Sequence, residues 1–89
     1  VKRLEVRFRG HVQGVGFRYT TLRLATRWSV TGYVENTADG GVSLLAEGPT
    51  ATLEAFLAEV LEAMQPNIEH YHASWQAAQG EYATFAIRR

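Results

Sequence analysis

Leu4, Val6 and Phe8 alternate with Arg3, Glu5, Arg7 and Arg9, the period of two that belongs to a strand with one wet face. Beyond Arg18 the spacing changes. Leu22, Ala25 and Trp28 recur at three-residue steps, with Leu24 beside them, which predicts a helix of about three turns starting near Phe17 or Arg18. Ser29 falls where that helix should stop in a left-handed conformation, a place that favours Gly, so a small local cost is expected. Val30, Gly32, Val34 and Asn36 share one parity and Thr31, Tyr33, Glu35 and Thr37 the other, giving a second strand. Ala38-Asp39-Gly40-Gly41 then signals a hairpin turn into a third strand with Val42, Leu44 and Ala46 inward. After Gly48-Pro49, with Thr50 or Thr52 as the expected N-cap, Leu53, Phe56, Leu57, Val60, Leu61 and Met64 fall on one helical stripe that reads as core. Pro66 closes this helix. Residues 68 to 75 read as a fourth strand in which Ile68 and Tyr71 have opposite parity, so a bulge is needed to bring both to the core side. Phe85 and Ile87 mark a short C-terminal strand.

The order β-α-β-β-α-β, with no internal sequence repeat and no linker, predicts an α+β fold with residues 1–89 as a single domain. The expected architecture is a ferredoxin-like α/β sandwich: one antiparallel sheet, both helices on one face, and the short C-terminal strand. A chain of 89 residues, 46% hydrophobic and 20% charged, can bury a core without metal or disulfide support. The absence of cysteine excludes a disulfide scaffold and thiolate metal sites and fits a reducing cytoplasm. No stretch has the length of a signal-peptide core or a membrane span, so a soluble cytoplasmic monomer with no membrane partner is expected. The net charge of zero hides an asymmetry. Residues 1 to 30 hold seven basic residues against Glu5 alone, while residues 31 to 89 hold Arg88 and Arg89 against eight acids. The basic third favours a small anionic ligand.

Within that basic third lies G-H-V-Q-G-V-G-F-R, residues 10 to 18. Gly10, Gly14 and Gly16 let several backbone N–H groups turn toward one point, and Arg18 adds a permanent planar cation. A helix beginning at Phe17 or Arg18 would aim its unpaired N–H groups and positive dipole end at the same place. The expected ligand is a phosphate. A nucleoside-triphosphate loop is excluded because no Lys follows the glycines; the only Lys is Lys2. The glycine spacing is not that of a dinucleotide fold, and a cysteine phosphatase would need a thiolate. Topology then adds Asn36. In a right-handed β-α-β unit the first two strands are parallel, so their C-terminal ends share one sheet edge. With the third strand between them they lie about 10 Å apart. Asn36, of the same parity as Val34, should face the helix side, where the loop folds over. A plain turn-initiating Asn is the structural alternative.

These residues resemble the acylphosphatase family. G-H-V-Q-G-V-G-F-R is similar to the family's N-terminal signature, G-x-V-Q-G-V-x-F-R, and Gly32 to Gly48, G-Y-V-E-N-T-A-D-G-G-V-S-L-L-A-E-G, is similar to its second. The resemblance implies that Arg18 binds the phosphate and that backbone amides of Val12, Gln13, Gly14, Val15, Gly16, Phe17 and Arg18 cradle it. It implies that Asn36 orients the attacking water. Carboxylic-phosphoric mixed anhydrides are then the substrates, hydrolysed to carboxylate and inorganic phosphate with no metal and no cofactor. Glu35 stands where the family more often carries a basic or neutral residue, but strand alternation turns it away from Asn36. Ser29 replaces a common Gly, which touches stability rather than chemistry.

The residues themselves allow that chemistry. With no carboxylate, imidazole or thiol placed as nucleophile or general acid, the leaving group must depart unprotonated, as a carboxylate of pKa about 4 to 5 can and an alkoxide cannot. His11 lies inside the loop, at a position that tolerates many residues in the family. His70 and His72, two apart on one strand, lack a third metal ligand and read as solvated. Trp28, Trp75 and Tyr33 read as core packing or as cover for the open sheet face. RNA-binding domains share this element order, but they need stacking aromatics on the third strand, which here reads G-V-S-L-L-A-E, so no nucleic-acid partner is expected. A non-catalytic or carbamoyl-phosphate-handling module of a larger protein is the other alternative. The 89-residue length is expected of a stand-alone enzyme, and Val1 in place of an initiating Met of a trimmed N-terminus.

Overall fold

Five strands and two helices form in the computed structural model, which describes residues Val1–Arg89. They are β1 (Lys2–Gly10), α1 (Phe17–Trp28), β2 (Thr31–Asn36), β3 (Val42–Gly48), α2 (Thr50–Met64), β4 (Ile68–Ala77) and β5 (Phe85–Arg88), with a single 3₁₀ turn at Gln65–Asn67 between α2 and β4. The sheet order is β4-β1-β3-β2-β5, so β3 does lie between β1 and β2. Both helices cover one face. Leu4, Val6 and Phe8 of β1 and Val42, Leu44 and Ala46 of β3 are fully enclosed beneath them, as the alternation of the two strands requires.

The sheet is mixed rather than wholly antiparallel. β4 pairs antiparallel with β1 at one edge, but β5 pairs parallel with β2 at the other. The chain must cross the open face between these edges, and residues 78–84 make that crossing; β5 then enters running the same way as β2. The crossing segment has a further effect. Arg3, expected on a wet face, is only 7% exposed, because its guanidinium is held by Glu47 (2.7 Å) and by Glu81 from the crossing segment (2.6 Å).

Local chemistry explains the remaining departures. The N-cap of α2 is Pro49, not Thr50 or Thr52, and no side chain caps it. Its extended ψ of 144° lets its carbonyl accept from Leu53 N–H at 2.9 Å, and Thr50 is already helical. In α1 the inward residues are Phe17, Thr21, Leu24 and Ala25, with Leu22 and Trp28 half-buried. Thr21 can sit in the core because its hydroxyl donates to the Phe17 carbonyl at 2.8 Å. The bulge in β4 is present: Arg9 pairs with His70 and Gly10 with Ile68, leaving Glu69 unpaired. Ile68 and Tyr71 therefore share the helix side. At this edge the helices no longer reach, and Tyr71 and Trp75 remain exposed.

Ser29 adopts φ 57°, ψ 35°, the left-handed conformation expected for the residue ending α1. It is the only non-glycine residue with positive φ. Ser29→Gly should therefore stabilise the protein by about 0.5–1 kcal/mol, the relief of side-chain crowding less the extra chain entropy of Gly. Urea unfolding of the two proteins measures it; an unchanged midpoint would show that the Ser side chain costs nothing there.

Candidate active site

The loop between β1 and α1 is shaped by glycines used for two different reasons. Gly10, at φ 131°, has no room: a Cβ there would lie 2.5 Å from the Asn67 carbonyl oxygen. Gly14 and Gly16, at φ 76° and 79°, have open space around them, so it is backbone conformation alone that favours glycine. Gly16 is the N-cap of α1 and offers no side-chain acceptor to the first turn. The Gly16 carbonyl accepts from Thr20 N–H at 3.0 Å. The N–H groups of Phe17, Arg18 and Tyr19, the three residues directly before Thr20, have no such intrahelical partner. They form the positive end of the helix dipole.

Gln13 fastens this loop to the β2–β3 turn. Its side-chain amide donates to the carbonyls of Thr37 and Gly41, each at 2.8 Å. The turn is itself braced. Thr37 N–H donates to the Gly41 carbonyl at 2.9 Å, and Gly41 N–H donates to the Thr37 hydroxyl oxygen at 3.0 Å. The Asp39 carboxyl is held below its ordinary range, first by the Thr37 hydroxyl donating to it, then by Gly41 N–H and the neighbouring Arg9. Loop and turn are thus one braced unit, and Asn36 is the last strand residue before it. Asn36 pairs with the enclosed Val42, which puts it on the helix side of the sheet.

Arg18 and Asn36 consequently line one cavity of about 120 Å³, together with Val12, Gly14, Gly16, Phe17 and Tyr19. Of the seven loop residues anticipated, Val12, Gly14, Gly16, Phe17 and Arg18 reach it; Gln13 serves as the clamp and Val15 packs on the core. No carboxylate, imidazole or thiol is among the lining residues. Arg18 takes part in none of the molecule's ion pairs, which use Arg3, Arg9 and Arg27. A half-buried cation without a counter-ion beside unpaired N–H groups offers the charge and the free donors that an anion needs. Tyr19 was not anticipated; the only signal was an aromatic directly after Arg18. The clamp by Gln13 was also hidden, because its partners are backbone carbonyls 24 and 28 positions away.

A larger groove of about 540 Å³ runs between the end of α2 and β4, but Glu62 and Glu69 line it and no Lys or Arg does, so it does not suit an anion. His70 and His72 stand on the open sheet face opposite Arg9 and Arg7, and nowhere do three metal-ligating side chains converge.

The acylphosphatase family model matches residues 4–87. The chain is 44% identical over 89 residues to the acylphosphatase of Salinibacter ruber, covering 99% of this chain and 94% of that one. It superposes on the crystal structure of acylphosphatase from Bacillus subtilis with a TM-score of 0.90 at 28% identity, over 100% of both chains. Full-length HypF, in its phosphate- and nucleotide-bound form, contains a similar region: TM-score 0.84 and 26% identity over 99% of this chain and 12% of that one.

Proposed function

The chain belongs to the acylphosphatase family, and we propose that it hydrolyses acyl phosphates with Arg18 and the loop amides holding the phosphoryl group and Asn36 aiming the water. The observation that carries this reading is the meeting of Arg18, the first-turn N–H groups of α1 and Asn36 around one small cavity. The guanidinium and the amides of residues 12–18 bind the three non-bridging phosphoryl oxygens and offset the charge that gathers on them in the transition state. The Asn36 side-chain carbonyl accepts from the water and holds it in line with the scissile bond. Water oxygen bonds to phosphorus as the bond from phosphorus to the acyl oxygen breaks. That electron pair leaves on the carboxylate, and the water proton passes to a phosphate oxygen.

A cavity without a general acid selects its leaving group. A carboxylate, with a conjugate-acid pKa of about 4, departs without protonation, so acyl phosphates react and alkyl phosphates do not. We read the reaction as metal-free on the same ground, the donor set of the cavity being one guanidinium, amides and a phenol. As further parts of the proposal, residues 1–89 act as a single domain, monomeric, in the cytoplasm, on small molecules and without nucleic acid. One sheet over one core supports the single domain, the absence of cysteine fits a reducing compartment, and β3, with no aromatic side chain, lacks a surface on which bases could stack.

Asn36→Ala tests the assignment. Turnover of benzoyl phosphate should fall about a hundredfold, with the inhibition constant of inorganic phosphate held within about twofold, since the amide holds water rather than phosphate. Retained turnover would remove Asn36 from the mechanism. A chelator should leave the wild-type rate unchanged, and loss of activity on chelation would overturn the metal-free scheme.

A further inference from the structure

The cavity lined by Arg18 and Asn36 is small for an acyl phosphate that carries a bulky acyl group. Its volume is about 120 Å³. Sites that enclose an organic ligand run to about 300–1,000 Å³. The acyl group must therefore lie across the rim, and the rim residues are few. Gly14 and Gly16 present no side chain and open onto free space. Val12 and Phe17 are buried beneath the surface. Arg18 and Asn36 are engaged with the phosphoryl group and the water. Tyr19 remains. It lines the same cavity, follows Arg18 in the first turn of α1, and is 66% exposed. Its ring joins none of the molecule's aromatic contacts.

We propose that Tyr19 is the acyl-recognition surface, receiving a flat or apolar acyl group against its ring, so that acyl phosphates with aromatic acyl groups are favoured over acetyl phosphate. This rests on the acyl-phosphate reading of the site and names the substrate class within it. An aromatic ring left in water beside an anion site gains contact and buries apolar area only when a ligand covers it. Tyr19 is a specificity residue. It moves no proton and forms no bond.

The test compares benzoyl with acetyl phosphate in the wild type, Tyr19→Ala and Tyr19→Phe. The ratio of kcat/KM for benzoyl over acetyl phosphate should fall about three- to tenfold in Tyr19→Ala, the range of an aromatic contact, and stay within about twofold of wild type in Tyr19→Phe, which keeps the ring. An unchanged ratio in Tyr19→Ala would overturn the inference, as would a fall in Tyr19→Phe equal to that in Tyr19→Ala. Binding gives a second arm that needs no turnover. Phenacylphosphonate, in which a methylene replaces the bridging oxygen of benzoyl phosphate, should bind more tightly than acetonylphosphonate, and Tyr19→Ala should erase the difference. A wild type that hydrolyses neither acyl phosphate would sink the proposed function, while the phosphonate preference would still decide the role of Tyr19.

Discussion

Arg18→Ala is expected to lower kcat/KM for benzoyl phosphate by about a thousandfold or more, and to abolish competition by inorganic phosphate, while leaving the fold intact. The activity loss follows from position: Arg18 is the only cationic side chain lining the cavity, and removing even one preorganised donor to a developing oxyanion costs about a hundred- to a thousandfold. Arg18→Lys should recover little of it, because an ammonium supplies charge without the two-pronged donor plane that matches a phosphoryl face. The intact fold follows from what Arg18 lacks. It makes no ion pair, and it sits in the first turn of α1, where no acidic residue offsets it. A cation at the positive end of a helix dipole costs about 0.3–1 kcal/mol, so Arg18→Ala should unfold at the same or a slightly higher urea concentration. An unfavourable charge kept at a helix start that no side chain caps is what the proposed anion site requires and what stability alone does not. If Arg18→Ala retained phosphate binding, the cavity would not be the phosphate site.

The parts of this arrangement that could be read from the sequence are those governed by local periodicity and chain direction. Alternation in β1 and β3 fixed which residues face the helices, and the parity conflict between Ile68 and Tyr71 pointed to the bulge that leaves Glu69 unpaired. Asn36 could be placed near Arg18 because a right-handed β-α-β connection leaves little choice; the shared cavity follows from it. What could not be read depends on irregular backbone and on partners far apart in sequence. Residues 78–84 have no period, so neither their path over the open face nor the parallel entry of β5 was visible. Arg3 looked wet because the residues that cover it come from that segment. Leu45, out of phase with the inward set of β3, is buried on the open face, where the sequence offered no cover beyond Trp28, Trp75 or Tyr33. Pro49 displaced Thr50 as the cap of α2 because a proline with extended ψ can start a helix without a side-chain acceptor.

The same hidden segment supplies the largest expected stability effect. Glu47→Ala should cost about 3 kcal/mol, toward the lower end of what breaking a buried ion pair costs, measured by urea unfolding at neutral pH. Glu47 is 5% exposed, and each of its side-chain hydrogen bonds joins distant parts of the chain. One carboxylate oxygen accepts from the Arg3 Nε at 2.7 Å and from Gln79 N–H at 2.9 Å; the other accepts from Gly80 N–H at 3.0 Å. The alanine variant leaves two backbone donors without their acceptor and a guanidinium held only by the half-exposed Glu81, which is why the loss stays near the lower end. The Glu47 carboxyl is held below its ordinary value by Gln79 N–H first, with Arg3 and Gly80 N–H adding to it and burial opposing. A group depressed in the folded state contributes stability above its unfolded pKa, here about 4.5, and that contribution disappears as pH falls through the lower folded value. Wild-type stability should therefore drop as the pH is taken below about 4.5. Glu47→Gln, which keeps an acceptor oxygen but has no proton to gain, should be less stable at neutral pH and should lose this part of the acid slope. Two parallel acid profiles would mean that the carboxylate of Glu47 does not hold the crossing segment to the sheet.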